Sequence, residues 1–438
     1  MTGVIAMQNL ITFAVNLADN VMIGGYSQTA LSGVAIVNQI QFLLQMLMLG
    51  TGSAIGVLSA QYWGKKELEP IRKATSVGVL MGVVISMVLM LPVFFFPTQV
   101  LSLLTNEQAV IQEGSKYLVI ICFSYMLFAI SNNLLSALRS VETVKIGFVV
   151  NLIALVVNIV LNYGLIYGRL GFPEMGVRGA AIATLTARVV EFIVVVLYVL
   201  RWDKKICWRP ENLLRVDKVM FRDFIRVGLP LILANGIWGV AMSVQTAILG
   251  RLGEDTIAAN SIATTIFQVV SVVTYAASTT SGVVIGKTVG EGDISRVKAY
   301  TKTMQVLFVA IGIVTGLVLY SCTDLIIGLY DVTPAAAALS RQFILVLSVT
   351  VVGTSYQCSC LTGIVTGGGD TKFVLINDLI HQWLIVIPSA FLSAFVFHGP
   401  MWLTFACLKS DQILKCFVAM VKVNRYRWIR ILTRDNNQ

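Results

Sequence analysis

Long runs of hydrophobic positions follow one another along this chain, and short polar segments separate them. A helix that crosses a bilayer needs about 20 mostly apolar residues. Stretches of that kind lie at 2–25, 30–60, 75–97, 115–138, 146–168, 178–200, 222–249, 256–285, 303–328, 337–362, 373–397 and 400–422. The pattern predicts an all-α polytopic membrane protein with twelve transmembrane helices, whose first span takes the place of a cleavable signal peptide.

The longest polar segment divides these stretches into two sets of six. We predict an N-terminal six-helix lobe at 1–200, a cytoplasmic linker at 201–221, a C-terminal six-helix lobe at 222–424 and a basic cytoplasmic tail at 425–438. Since six is even, both lobes begin on the same side of the membrane. The lobes are therefore expected to form a parallel pseudo-two-fold repeat, with a substrate cavity between them near the midplane.

A segment of the first lobe recurs in the second at a constant offset of 226 positions. Across residues 24–64 the identical pairs are Gly24 and Gly250, Ile36 and Ile262, Ile40 and Ile266, Gly56 and Gly282, Val57 and Val283, and Gly64 and Gly290. At the same offset Asp19 corresponds to Gln245. The first copy thus contains a carboxyl group that the second copy lacks.

A second match, at an offset of 227, pairs residues 144–151 with residues 371–378 and makes spans 5 and 11 equivalent. Span 7 enters through Pro230, whose counterpart in the first lobe is Val4. The first lobe therefore begins where its lead-in is expected to end. We expect either a naturally short chain or an internal start.

The composition agrees with the membrane assignment and excludes a soluble domain. Hydrophobic residues make up 57% of the chain and charged residues 12%, and the mean hydropathy is +0.82. Soluble proteins contain about 25% charged residues. Few residues remain for any domain outside the bilayer.

The net charge of +10 would suggest nucleic-acid binding if the basic residues were clustered. With the amino terminus inside, however, 26 of the 32 Lys and Arg residues fall in the cytoplasmic loops and the tail, seven of them from Lys409 to Arg434. This is the positive-inside distribution, and it predicts an inner-membrane protein with both termini in the cytoplasm. The basic residues then indicate topology and contact with anionic lipid, and no nucleic-acid partner is expected.

Motifs for enzymatic chemistry are missing from the sequence. Seven scattered Cys residues form no disulfide framework or zinc pattern, and two His residues form no metal motif. The sequence also contains no phosphate-binding loop, Gly-x-Ser-x-Gly or His-Glu-x-x-His. We expect no enzyme and no cofactor beyond a coupling ion, and we expect a monomer whose partners are a small organic substrate and the bilayer.

Ionisable residues within apolar spans are the informative ones, because they face a cavity or a partner by default. Asp19 lies in the first span, and Asn158 and Asn162 share one face of span 5, with Thr184 in span 6. A carboxylate among amide and hydroxyl oxygens suits a hard cation such as sodium. It equally suits a proton, because loss of water favours the uncharged acid. The alternative is that Asp19 is a structural hydrogen-bonding centre.

Further polar and aromatic residues within the spans are candidates for a substrate cavity. Aromatic faces can hold an organic cation, and each residue on its own can equally be a packing residue. The candidates are Asn16, Asn151, Trp238, Gln245, Tyr275, Tyr356, Asp378 and His381. Asp378 and His381 form an i, i+3 pair on span 11, and Arg188 and Glu191 form a similar pair on span 6 that we interpret as self-neutralising.

Five motifs in chain order resemble the multidrug and toxic compound extrusion (MATE) family, nearest to the bacterial DNA-damage-inducible-protein-like branch. They are residues 16–25 (NLADNVMIGG), 61–66 (QYWGKK), 176–184 (GVRGAAIAT), 366–373 (TGGGDTKF) and 383–388 (WLIVIP). The resemblance covers almost the whole chain. It implies an antiporter that exports amphipathic, often cationic compounds in exchange for sodium ions or protons by alternating access.

The resemblance also implies roles for individual residues. The family's first-span acid falls on Asp19, its span-5 Asn-x-x-x-Asp motif falls on Asn158 and Asn162, and its span-6 threonine falls on Thr184. Position 162 is Asn where some members carry a second acid, so Asp19 is the single candidate carboxylate for protons or sodium. The branch with an acid in span 7 is excluded, because Trp238 stands at that position.

Two other functions compete with the antiporter. A flippase for a lipid-linked precursor would need a larger and more cationic cavity, and Arg188 is the clear basic residue within a span. A non-transporting scaffold would need no polar line through the spans, whereas span 5 carries three Asn residues on one face. A membrane-embedded enzyme would need a cluster of His, Asp or Glu residues at the membrane surface, and the loops contain none.

Overall fold

The computed structural model describes residues 1–216, 218–328 and 333–434. Its first half consists of helices joined by short turns. The helices are α1 (Thr2–Tyr26), α2 (Gln28–Gly64), α3 (Leu68–Phe95), α4 (Pro97–Ser102), α5 (Gln108–Ile121), α6 (Ser124–Ser140), α7 (Lys145–Tyr167) and α8 (Gly176–Arg201). A 3₁₀ turn at Pro210–Arg215 follows in the predicted linker.

The second half is also helical, and in its last spans α-helical segments alternate with π-helical ones. The α-helices are α9 (Lys218–Gly250), α10 (Glu254–Gly290), α11 (Ile294–Ser321), α12 (Thr323–Ile327), α13 (Pro334–Cys358), α14 (Thr371–Leu379), α15 (Ile387–Phe391), α16 (Met401–Leu408) and α17 (Asp411–Asn424). π-Helical segments lie at Ser359–Val365, Ile380–Val386 and Leu392–Val396.

The helices confirm the predicted all-α membrane fold. Within the described residues, nine helical segments are long and apolar enough to cross a bilayer, and α5 with α6, bent by 52°, forms a tenth. α1 and the broken pair α16 and α17 occupy the first and the last predicted spans. Each of the twelve apolar stretches therefore corresponds to one helix or one interrupted helix.

The helices pack into two compact units. The first contains residues 3–59 and 67–232, and the second contains residues 60–66 and 233–438, of which 329–332 and 435–438 lie outside the described residues. The first unit contains the first six predicted spans and the start of the seventh, and the second contains the rest of the seventh and the last five. The division falls inside α9, whereas the sequence places the boundary in the linker, so the sequence-based domain limits stay a prediction.

Small residues let α7 and α8 approach each other closely in the first unit. A Cβ atom on Gly179 would lie 2.4 Å from the backbone oxygen of Leu165, so only glycine fits this crossing. α7 is capped at its carboxyl end by Gly168, whose left-handed φ of +64° allows the chain to turn back toward α8. This close approach brings the polar faces of α7 and α8 beside each other.

The second unit has an aromatic and aliphatic core of its own. Phe343 of α13 and Phe405 of α16 are both fully buried, and their rings stack with centroids 4.1 Å apart. Ser355 of α13 donates to the backbone oxygen of Phe308 in α11, at 2.8 Å. These contacts hold α11, α13 and α16 together behind the polar residues of the second unit.

Candidate functional site

Asp19 lies on the face of α1 that packs inside the first unit. Leu17 and Val21, two residues before and after it, are 51% and 65% exposed, as expected for side chains that face lipid. Asp19 itself is only partly exposed. Since Asp19 is flanked on both sides by exposed apolar residues, the helical period turns its carboxyl group toward α7.

A continuous chain of hydrogen bonds joins the four residues predicted to couple an ion. Asn162 donates its side-chain amide to the carboxylate of Asp19 and also to Oδ1 of Asn158, at 3.2 Å. Asn158 in turn donates to the hydroxyl oxygen of Thr184, at 3.3 Å. Both Asn side chains are fully buried. The structure therefore brings Asp19, Asn158, Asn162 and Thr184 into one cluster, here called the Asp19 cluster.

An ion pair on α8 lies next to the Asp19 cluster. Arg188 contacts Glu191 at 2.7 Å, and its guanidinium group lies 4.9 Å above the ring of Phe128. Glu191 is only 5% exposed, and the charge of Arg188 acts on Asp19. The predicted self-neutralising pair is thus present. Together with an ionised Asp19, the three groups carry one net negative charge.

The oxygen atoms of the Asp19 cluster fit a small cation or a proton. Oδ1 of Asn162 is buried and has no hydrogen-bond partner among the described residues. A hard cation takes such amide oxygens together with a carboxylate. A protonated Asp19 would instead need an acceptor, and rotation of the Asn162 amide presents this same oxygen. The cluster can therefore accept one positive charge in either form.

Two other candidate residues of the first unit lie outside the Asp19 cluster. Asn151 donates to the backbone oxygen of Gln8 and to the hydroxyl of Thr12, at 3.4 and 3.2 Å, and so ties α7 to α1 further along the helix pair. Asn16 is exposed. The structure therefore gives Asn151 a helix-packing role and assigns no contact to Asn16.

In the second unit, several of the remaining candidate residues lie apart from one another. Gln245, the counterpart of Asp19, is 5% exposed, and its side-chain nitrogen has no partner among the described residues. Tyr356 donates to Oε1 of Gln305 in α11, at 2.6 Å. Tyr275 is 40% exposed. These three side chains do not form a common site.

Asp378 and His381 make different contacts from those that their spacing suggested. Asp378 pairs with Lys415 of α17, at 2.8 Å. Nδ1 of His381 lies 2.8 Å from the backbone oxygen of Asn377 in its own helix. The two side chains therefore do not form the i, i+3 pair, because a buried ammonium ion competes for the carboxylate and the helix backbone competes for the imidazole.

Lys415 is the functional candidate that the sequence interpretation missed. The sequence count places it among seven basic residues of a cytoplasmic loop and tail, but in the structure it lies within α17 and is 4% exposed. Asp411 is its second partner, at 3.3 Å. The spacing of Asp411 and Lys415, four residues apart, was the available signal, because such pairs face each other on a helix.

Comparisons with known proteins agree with this architecture. A family model described as MatE matches residues 5–164 and 230–392. A probable multidrug resistance protein NorM of Listeria monocytogenes is 26% identical over 426 residues, which cover 96% of this chain and 92% of that protein. A protein of the same description from Photorhabdus laumondii is 26% identical over 381 residues, covering 87% and 83% of the two chains.

Solved structures share the fold at low sequence identity. A MATE protein crystallised in complex with MaL6 superposes with a TM-score of 0.88 at 16% identity, covering 97% of this chain and 94% of that chain. A MOP-superfamily transporter from Pyrococcus furiosus gives 0.89 at 16% identity, covering 99% and 96%. The family prediction is confirmed, while the assignment to one branch stays a prediction. Because the MatE model matches most of the chain, in both of its halves, this multi-pass membrane protein belongs to the MatE family.

Proposed function

We propose that this protein is a secondary active antiporter. It exports amphipathic, cationic organic compounds in exchange for protons or sodium ions by alternating access, and Asp19 binds the coupling ion. The observation that carries the proposal is the Asp19 cluster, in which one carboxylate within the membrane is linked to Asn162, Asn158 and Thr184. The relatives described as probable multidrug resistance proteins support the export of drugs.

In this mechanism the Asp19 cluster changes its hydrogen bonds when the ion binds. With Asp19 ionised, the Asn162 amide donates to the carboxylate. A proton on Asp19 weakens that acceptor and adds an O–H donor, and a sodium ion competes with the amide for the carboxylate oxygens. In both cases the contact between α1 and α7 is altered, and an ion that alters it biases the packing of the first unit.

The buried basic residues argue against the flippase alternative. Arg188 is paired with Glu191, and Lys415 is paired with Asp378 and Asp411. Each of these two basic groups is thus matched or outnumbered by its carboxylate partners. An anionic lipid head group would have to displace a carboxylate to pair with either of them.

The test is transport of ethidium into everted membrane vesicles, with a pH gradient and a sodium gradient imposed separately. We expect wild-type vesicles to accumulate ethidium under at least one of the two gradients. Asp19→Asn should reduce gradient-driven accumulation to the level of vesicles without the protein, because the amide cannot take up a proton or neutralise a cation. Equal amounts of wild-type and variant protein in the membrane are required for the comparison.

Asn20→Leu is the matched control. Asn20 is the next residue along α1, is exposed and lies outside the Asp19 cluster. This variant should transport like the wild type under the same gradient. Full accumulation by Asp19→Asn would overturn the role of Asp19, and failure of the wild type under both gradients would overturn the antiporter itself.

A further inference from the structure

The segment that follows α17 folds back onto the second unit. Residues 425–434, here called the strap, lie against the glycine-rich turn at 367–369. The indole ring of Trp428 is fully buried, and a Cβ atom added to Gly368 would overlap it. The backbone nitrogen of Arg430 donates to the backbone oxygen of Gly368, at 2.8 Å. The strap and the turn therefore fit each other closely.

A buried carboxylate ties the strap to this turn by charge. Asp370 directly follows the turn and is 2% exposed. It pairs with Lys422 of α17, at 2.8 Å, and with Arg430 of the strap, at 2.9 Å. A buried carboxylate is costly unless basic partners surround it. Asp370 therefore favours the attached position of the strap.

A single side chain of α2 joins the strap and the turn. Gln61 is fully buried. Its amide nitrogen donates to the backbone oxygens of Arg430 and Gly367, at 3.1 and 3.4 Å, and its amide oxygen accepts from the backbone nitrogen of Leu432, at 2.8 Å. The strap thus holds the last turn of α2 as well as the turn at 367–369.

The last turn of α2 crosses the last turn of α10 at two glycines that the repeat makes equivalent. Gly64 and Gly290 are 226 positions apart. A Cβ atom on Gly64 would overlap the backbone oxygen of Lys287, and one on Gly290 would overlap that of Gln61. Gln61 and Lys287 are also 226 positions apart. At this position α2 carries an amide, which can donate and accept, whereas α10 carries an ammonium group, which only donates. The hydrogen bonds to the strap therefore depend on the residue of α2.

α2 is one uninterrupted helix that contributes residues to both units. Residues 28–59 belong to the first unit and residues 60–64 to the second. Because the helix is continuous, a contact that holds its last turn constrains the positions of the residues before it. The last turn of α2 cannot leave α10 while Gln61 is bonded to the strap.

We propose that the strap is a latch, which holds the last turn of α2 against α10 and has to release Gln61 during each transport cycle. The inference rests on the proposed alternating access, because an exporter of that kind must let helix ends separate on one side of the membrane. On the predicted topology the strap lies on the cytoplasmic side. In the released state the strap stays on the turn at 367–369, and the three hydrogen bonds of Gln61 are broken.

The test ties the strap covalently to the end of α2 and measures transport. Lys65, which follows α2, and Thr433 of the strap line one groove. A reducible bis-methanethiosulfonate reagent joins Lys65→Cys to Thr433→Cys in everted vesicles, where the predicted cytoplasmic side faces the medium. We expect gradient-driven ethidium accumulation to fall to the level of vesicles without the protein, and dithiothreitol to restore it. A strap with a purely structural role stays attached in any case, so the tether would then leave transport unchanged.

The matched control ties the strap to the end of α10 instead. Glu291, which follows α10, lines the same groove and is exposed. Glu291→Cys joined to Thr433→Cys should transport like the untreated pair, because Gln61 can still leave the strap. Cys207, the exposed native cysteine, is replaced by Ser in every protein compared. Peptide mass spectrometry measures the crosslinked fraction of each pair.

Gln61→Leu weakens the latch without a crosslinker. It removes the three hydrogen bonds to the strap and the turn. The backbone amides of residues 61–66 in the purified protein should therefore exchange with deuterium at least about tenfold faster than in the wild type. Gln412→Leu, at a buried glutamine of α17, should leave this exchange unchanged.

The outcomes separate the latch from the proposed function. Transport that survives full crosslinking of the strap to the end of α2 overturns the latch and leaves the antiporter standing. Equal loss of transport in both crosslinked pairs, or unchanged deuterium exchange in Gln61→Leu, overturns it as well. If an untreated pair fails to transport, the exchange measurement decides. A wild-type protein that transports ethidium under neither gradient overturns the antiporter, and the latch with it.

Discussion

At the scale of single residues, the members of the Asp19 cluster could be grouped from the sequence because the physical cause is local, while their role in ion binding stays a prediction. A carboxylate within an apolar span needs partners, and Asn158 and Asn162 stand one helical turn apart, so they share a face. The pattern could not reveal the order of the hydrogen bonds. It also could not reveal that Oδ1 of Asn162 is left without a partner among the described residues, since that depends on side-chain orientation.

Asn162 determines how many carboxylates the Asp19 cluster contains, and this leads to a prediction. Asn162→Asp adds a second carboxylate beside Asp19, and sodium affinity rises with the number of charged oxygen ligands. We expect sodium binding by the purified variant to be at least about tenfold tighter than that of the wild type, a gain of about 1.4 kcal/mol. Equilibrium dialysis with radioactive sodium measures the change.

The control for this prediction is Asn162→Leu, which removes the oxygen and leaves the charge unchanged. It should bind sodium no better than the wild type. Two carboxylates can also share a proton instead of a metal ion. If Asn162→Asp binds sodium no more tightly than the wild type, the cluster is therefore a proton site, and a second acid does not convert it into a sodium site.

At the scale of whole elements, hydropathy predicted where helices lie but not how they are interrupted. The apolar stretch 115–138 contains the 52° bend between α5 and α6, and the stretch 400–422 contains the break between α16 and α17. The π-helical segments that follow α13, α14 and α15 were also not predicted. Apolar composition reports which residues avoid water, whereas these interruptions depend on packing between neighbouring helices.

The segment after α17 is a second feature that composition alone did not predict. The sequence predicted a basic cytoplasmic tail here, and in the structure Trp428 of this segment is fully buried. Asp370, 2% exposed, pairs with Lys422 at 2.8 Å and with Arg430 at 2.9 Å. Gln61, at the end of α2, accepts from the backbone nitrogen of Leu432 at 2.8 Å. Residues 425–434 therefore form a packed strap within the second unit.

The strap gives a prediction about proteolysis. Trp428→Ala removes a fully buried indole, a change that costs about 3–5 kcal/mol at such sites. We expect trypsin to cleave the variant after Arg425, Arg427 or Arg430 much faster than it cleaves the wild type, because the strap detaches from the helix ends. Mass spectrometry of the products identifies the cleavage sites and their rates.

Trp402→Ala is the matched control for the strap. Trp402 lies on α16 and is 46% exposed, so truncating it leaves the strap in place. Its cleavage pattern should equal that of the wild type. Equal cleavage of Trp428→Ala and the wild type would show that the strap is not held by its tryptophan.

At the scale of the whole molecule, each unit holds a basic residue within its spans that is paired with carboxylates. The first unit has Asp19 near the pair of Arg188 and Glu191, and the second has Lys415 between two carboxylates. In an antiporter, binding of the ion must weaken binding of the substrate, and binding of the substrate must weaken binding of the ion. If the two sites are separate, this opposition must be a coupling free energy between them, and it must be equal in both directions.

This reciprocity gives the last prediction. If the coupling ion binds at Asp19 and an organic cation such as tetraphenylphosphonium binds at a separate site, adding the ion should lower the affinity of purified protein for tetraphenylphosphonium. Coupling of about 1–3 kcal/mol corresponds to a 5- to 150-fold change. Titration calorimetry at several sodium concentrations, with choline replacing sodium, and at several pH values, measures it. In Asp19→Asn the affinity for tetraphenylphosphonium should lose this dependence on the ion.

The same titrations distinguish coupling from simple competition for one site. With competition, Asp19→Asn would weaken tetraphenylphosphonium binding itself, since the cation would then need the Asp19 carboxylate. With coupling, the variant binds tetraphenylphosphonium as tightly as the ion-free wild type. An ion dependence that persists unchanged in Asp19→Asn would locate the coupling ion outside the first unit's cluster, and the carboxylates beside Lys415 would then be the groups to test.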